Sequence, residues 1–147
     1  MSDDEAAAVR ILKEFIGAMQ NWESEMLRHS ATIDWPNAKQ EELELHSAQM
    51  RRRLAEIFER YCEAGRDAER VNDVLHCGGG EPDYNAQTER ITSVVTRGRK
   101  VVVETHQAHN FRHKLRYELV QVDGRWKVRD NRKCSFEYET RWRRWPL

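Results

Sequence analysis

Cysteine is scarce in this chain of 147 residues: Cys62, Cys77 and Cys134 are odd in number, far apart and never spaced C-x-x-C. That excludes a disulfide framework and a structural zinc site as the source of the fold, and leaves reduced or buried thiols. Long apolar runs are missing too. Stretches such as Val101 to Val103 fall far short of the ~20 residues that span a bilayer, so no integral membrane protein is expected. Net charge is absent, 25 Lys plus Arg against 25 Asp plus Glu, which removes the generic argument for a nucleic-acid partner. The N-terminus opens Ser2, Asp3, Asp4, Glu5, without the basic and then apolar stretch of a secretory signal, so the expected location is the cytoplasm. Gly78 to Gly80 are not followed by G-K-[ST], and no G-x-S-x-G occurs. A phosphate loop and a serine-nucleophile elbow are therefore set aside. What remains is one domain, 1–147, long enough to bury roughly 70% of the surface its unfolded form exposes.

The neutrality hides a gradient. Residues 1–75 contain 10 Lys or Arg and 16 Asp or Glu, whereas residues 76–147 contain 15 and 9. The halves thus carry opposite charges of about six units each.

The hydrophobic period changes along the chain in step with the charge. In the first part, Val9, Leu12, Ile16, Met19, Trp22 and Met26 recur at three or four, with Phe15 widening the stripe, and Ser2 or Asp3 can cap the helix they define. Pro36 breaks the pattern and puts Trp35 at a corner. A second helix is expected from Asn37, with Leu43, Met50, Leu54, Ile57, Phe58 and Tyr61 on one face and Gly65 as its stop. Arg51, Arg52 and Arg53 read as a solvated face paired with neighbouring glutamates. The helical part runs to about residue 75, with Arg66 to Asp73 as one more turn or a first strand, and the sheet part covers about 84–142. Its strands are expected at Glu89–Arg97, Lys100–Ala108, Phe111–Val122 and Arg125–Lys133, joined by two-residue turns at Gly98–Arg99 and Asp123–Gly124. In the third strand Phe111, His113, Leu115, Tyr117 and Leu119 share one face, and Arg112, Lys114, Arg116 and Glu118 the other. The fold class is α+β, helices first and then a curved antiparallel sheet wrapped around them.

The strand, D-G turn, Trp126 and strand ending at Asp130, in the stretch RHKLRYELVQVDGRWKVRDNRK from Arg112, resemble the final hairpin of the nuclear transport factor 2-like (NTF2-like) superfamily. The opening DDEAAAVRILKEFIGAMQNWE, the chain length and the tail are similar to the NTF2-fold immunity proteins encoded beside Rhs-type polymorphic toxins of bacteria. The resemblance implies a cone of helices and concave sheet, covering about residues 5–133, with residues 134–147 beyond it. It also implies a non-enzymatic protein, without catalytic residues, metal or cofactor, whose partner is a cognate toxin domain. A homodimer through the sheet, as many similar folds form, stays open.

The superfamily also holds isomerases, dehydratases and cyclases, so pocket chemistry is the alternative. His113, Tyr117 and Asp130 could place an imidazole, a phenol and a carboxylate inside an apolar cone for proton transfer beside a carbonyl. The structural alternative is that Tyr117 is a core aromatic with a satisfied hydroxyl. His106, His109 and His113 have helical metal-site spacing but lie in a strand-rich stretch, where they fall on different faces. The tail Arg141, Trp142, Arg143, Arg144, Trp145 combines large apolar area with planar cations, the composition of interface hot spots. A last edge strand, Ser135–Trp142, is its structural reading. The residues expected to touch a toxin are Trp142, Arg143, Arg144 and Trp145, then Glu41, Glu42 and Glu44 on the second helix.

Overall fold

The acidic start of the chain becomes a helix because Ser2 and Glu5 cap its first turn. In the computed structural model, which describes residues 1–64, 84–107, 114–129, 132–135 and 141–144, Ser2 and Glu5 form a reciprocal capping box. The Glu5 amide donates to Ser2 Oγ at 3.1 Å and the Ser2 amide to Glu5 Oε1 at 3.0 Å. Hydrogen bonding to the carboxylate, from the Ser2 amide first and the Ser2 hydroxyl second, holds the Glu5 carboxyl below its ordinary pKa. Helix α1, Asp3–Ala31, follows, with Asp3, Asp4 and Glu5 in its first turn and Arg28 and His29 in its last, matching both ends of the helix dipole. Its buried stripe is Ala8, Val9, Leu12, Phe15, Ile16, Met19 and Trp22.

The chain then turns at Thr32 and Pro36. Thr32 Oγ1 donates to the His29 carbonyl at 2.7 Å and the Trp35 indole to the Ser30 carbonyl at 3.1 Å, which closes the end of α1. Helix α2, Gln40–Tyr61, begins three residues later than the expected Asn37. Asn37 is committed elsewhere: its amide donates to the Asp34 carbonyl and its side chain to Asp34 Oδ2 at 2.9 Å, so it closes a turn instead of capping a helix. Lys39 occupies the cap position without a side-chain bond. The buried face is His46, Met50, Leu54, Phe58 and Tyr61, and the helices are pinned by the Trp22 indole donating to the Met50 carbonyl at 3.0 Å. α2 ends at Cys62, ahead of the expected Gly65 stop. Gly65, the Arg66–Asp73 segment and the Gly78–Gly80 loop lie outside the described residues.

Among the described residues six antiparallel strands form one sheet: β1 Glu89–Arg97, β2 Lys100–Gln107, β3 Lys114–Val122, β4 Arg125–Val128, β5 Lys133–Ser135 and β6 Arg143–Arg144. Their order is β1-β2-β3-β5-β6, with β4 also on β3. Both expected hairpin turns are present. Gly98 has φ 62°, and Asp123 and Gly124 have φ 52° and 76°, the left-handed pair that a two-residue turn of this hand requires.

The expected single strand Arg125–Lys133 is split. Leu119 pairs with Val128, but Arg116 pairs with Lys133, so three steps along β3 face five along the last segment. Two extra residues are accommodated and the pairing resumes in β5. Of the expected Ser135–Trp142 strand, residues 136–140 lie outside the described residues; Ser135 ends β5, which pairs with β6 through Lys133 with Arg144 and Cys134 with Arg143. Cys134, Ser135, Arg143 and Arg144, expected beyond the fold, are therefore part of the sheet.

Val101, Val103, Leu115, Tyr117, Leu119 and Val128 line the inner face with no solvent exposure, against Leu12, Phe15, Met19, Leu54 and Phe58. Tyr84 joins them: its ring meets Phe15 edge-on at 5.9 Å and its amide donates to Glu23 Oε1. Cys62 and Cys134 are buried thiols. Leu54→Ala should cost about 2–5 kcal/mol in chemical denaturation. Leu45→Ala on the same helix, at a side chain 60% exposed, should stay within about 0.5 kcal/mol of the parent.

Candidate functional site

Strand alternation makes two candidate surfaces, the interior of the cone and the outside of the sheet. In the interior, Tyr117 is fully buried on β3, and its hydroxyl donates to Glu89 Oε1 of β1 at 3.1 Å. The same carboxylate oxygen accepts from Thr105 Oγ1 of β2 at 2.6 Å. Arg132, only 2% exposed, donates from Nη1 to the Tyr117 hydroxyl at 3.3 Å, and its guanidinium lies 4.9 Å from the Tyr84 ring and 5.8 Å from the Tyr117 ring. A carboxylate, two hydroxyls and a guanidinium thus form a connected buried network, in a low dielectric that strengthens each bond.

Tyr117 is thus a core aromatic with a bonded hydroxyl. His113 and Asp130, its partners in the acid–base alternative, lie outside the described residues, as do His109 and Trp145. Glu89 and Arg132 are the members that sequence reasoning missed. Arg132 carries no hydrophobic signal, and Glu89 starts its strand on the inward parity, which was a readable clue. His106 sits half-buried on β2, and among the described residues no three metal-ligating side chains converge.

A second polar cluster stands at the α1–α2 corner. The imidazoles of His29 and His46 stack with centroids 4.5 Å apart, their Nδ1 atoms within hydrogen-bond reach. His46 Nε2 is 3.2 Å from Ser30 Oγ, and the Trp35 ring approaches edge-on at 6.3 Å. Burial first, and the facing His29 second, lower the His46 pKa from 6.5. Below this corner a hollow of about 620 Å³ runs between the helices, walled by Glu25, Arg28, Gln49, Arg52 and Arg53 among others. Its charged wall differs from the apolar lining of a typical small-molecule site. Arg53 pairs with Glu25 across it, and Arg51, Arg52 and Arg53 are all exposed, as the solvated reading expected. Glu41, Glu42 and Glu44 are exposed at the start of α2, with Gln40 Nε2 donating to Glu44 at 3.1 Å.

The outside of the sheet is laid out in rows by the strand register. One row reads Ser93, Glu104, Arg116, Lys133, Arg144, and the next reads Arg90, His106, Lys114, Ser135. A third places Val95 beside Val102 and Glu118. Ion pairs order this face: Arg116 with Glu104 at 2.8 Å, Lys100 with Glu118 at 2.9 Å, and Arg129 with Glu118 at 3.5 Å. Trp142 stacks on it, its ring 4.1 Å from the Arg116 guanidinium and 5.7 Å from the Lys114 ammonium. Arg143 and Arg144 are exposed.

Among the described residues, two helices and six strands thus enclose an interior filled by their own side chains, behind a charged outer face. Over residues 7–145 the chain matches the family described as NTF2 fold immunity protein, and it belongs to that family. Immunity proteins are inhibitors, not enzymes. A relative, "Immunity protein RhsIA" of Dickeya dadantii (strain 3937), is 25% identical over 140 residues, covering 95% of this chain and 96% of that protein. Among solved structures the chain is similar, at 18% identity and a TM-score of 0.44, to a chain of the type VI native effector-immunity complex Tae3-Tai3 from Ralstonia pickettii, over 93% of this chain and 97% of that one. No described helix is long and apolar enough to cross a membrane.

Two outcomes test the polar clusters. Tyr117→Phe removes a hydroxyl that donates to Glu89 and accepts from Arg132, and should lower stability by about 1–2 kcal/mol in denaturant titration. For His46 the folded form resists the proton that the unfolded chain accepts near 6.5. Stability is therefore fully present above that pH and is lost as pH falls through the lowered folded value. Melting temperatures taken on both sides of 6.5 should show this fall, and His46→Gln should remove the part that His46 carries.

Proposed function

We propose that this chain is the immunity partner of a Rhs-type polymorphic toxin encoded beside it. It binds the toxin domain in the cytoplasm and neutralises it by covering the active or substrate site. The observation that carries this reading is the match to an immunity family over nearly the whole chain, supported by an end-to-end relative bearing the name of an Rhs immunity protein. Occlusion needs a rigid surface of about 800 Å² per partner. A sheet backed by two helices and a closed core supplies rigidity, so little ordering entropy is lost on binding. Complementary charge would speed and select the encounter. Inhibition then needs no chemistry from the inhibitor, which agrees with Tyr117 being committed to Glu89 and Arg132.

Co-expressed with the toxin domain encoded immediately upstream, the protein should co-purify with it as a stable complex and restore growth of cells making the toxin. Tyr117→Phe should still rescue. Absence of both complex and rescue would sink the proposal, and loss of rescue by a folded Tyr117→Phe protein would return the reading to a pocket enzyme.

A further inference from the structure

The Arg and Trp tail and the basic half of the sheet look like separate features in the sequence, yet register makes them one surface. Arg144 pairs with Lys133, which pairs with Arg116, so all three project from the outer face in one row. Trp142, two residues before Arg144, lies flat over the Arg116 guanidinium in that row. We propose that this outer face, centred on Trp142, Arg116, Lys133 and Arg144 and reaching Arg90 across the sheet, is the docking surface for an acidic patch on the toxin domain. This rests on the function proposed above and names the surface that performs it.

Three observations favour that occupant. First, charge: among the described residues cations outnumber carboxylates on this face, and Glu104 and Glu118 are already engaged by Arg116, Lys100 and Arg129. A partner rich in Asp and Glu meets complementary potential, whereas a second copy would set cations against cations. Second, composition: Val95, 41% exposed, adds apolar area in the row adjoining Glu104 and Arg116, and Trp142 with Arg116 forms an anchor whose guanidinium is already held in place. Carboxylates and valines within the face suit a protein better than a phosphate backbone. Third, size: strands about 4.8 Å apart with about 3.3 Å per residue give the five-strand face roughly 500 Å² in plan, before side-chain relief, which is the order of a standard interface. The Glu41, Glu42 and Glu44 patch is then a solvated helix start.

The test uses the full chain and the catalytically inactivated toxin domain, with affinity read by calorimetry and folding by circular dichroism. The triple variant Arg90→Glu, Lys133→Glu, Arg144→Glu should raise Kd by about 100-fold or more, and Trp142→Ala by about 10-fold or more. Wild-type Kd should rise with added salt. The triple variant Glu41→Lys, Glu42→Lys, Glu44→Lys should stay within about threefold of wild type. If the face variant does not fold, Arg144→Glu alone carries the test, with a rise of about 10-fold expected. A folded face variant that binds as wild type overturns the inference and leaves the immunity function standing. Loss of binding in the helix variant overturns it in favour of the acidic surface. If wild type forms no complex, the functional proposal fails and this one with it. Saturable binding of a DNA duplex at about 0.15 M salt, or a dimer that the face variant dissolves, would assign the face to nucleic acid or to a second copy instead.

Discussion

Because α1 runs for 29 residues and buries a stripe from Ala8 to Trp22, the rest of the chain is arranged to cover that stripe. α2 covers one flank, locked by the Trp22 indole on the Met50 carbonyl. The inner face of the sheet covers the other with Val101, Val103, Leu115, Leu119 and Val128. The segment entering β1 closes the gap, with Tyr84 against Phe15 and the Ala86 amide on Gln20. Each of these partners is long-range in sequence, so the helix gains its burial only when the whole cone has formed. Apolar burial of this kind supplies most of the stability of a helix that would be marginal in isolation.

The interior of that cone is not uniformly apolar. A buried guanidinium is acceptable where Arg132 lies because two aromatic faces and the Tyr117 hydroxyl surround it. Those groups in turn draw Glu89 and Thr105 into one network, tying β1, β2 and β3 to the segment that leads into β5. The network lies where the register slips between β4 and β5. Directional bonds can fix an alignment that a row of valines would leave free to slide.

Much of this was legible. A cap at Ser2 or Asp3, the α1 stripe, the turn at Pro36 and both hairpin turns follow from local chemistry: a small polar residue ahead of an apolar stripe, a residue forced out of the helical region, and an Asp-Gly pair that tolerates positive φ. What escaped was long-range. Asn37 reads as the start of α2 until Asp34 takes both its amides. The break after Val128 has no marker, because a two-residue register shift is decided by what β3 can still pair with. Arg132 and His46 sit at buried positions although their residue types usually mark the surface. Of the interior network, Tyr117 was singled out, while Glu89 and Arg132, which bond its hydroxyl, were not. The tail was singled out for its composition, yet only pairing with β5 revealed which of its residues face outward with the sheet.

The outer and inner rows of the sheet belong to alternate residues of the same strands. On β3, Leu115, Tyr117 and Leu119 hold the core while Lys114, Arg116 and Glu118 look outward. A substitution at an outward position changes what the surface can meet and leaves the packing beneath it intact. Surface identity and fold stability are thus written in interleaved alphabets on one strand, and the first can be rewritten while the second is kept. The outer face can therefore be re-lettered one residue at a time while the inner row continues to hold the helices.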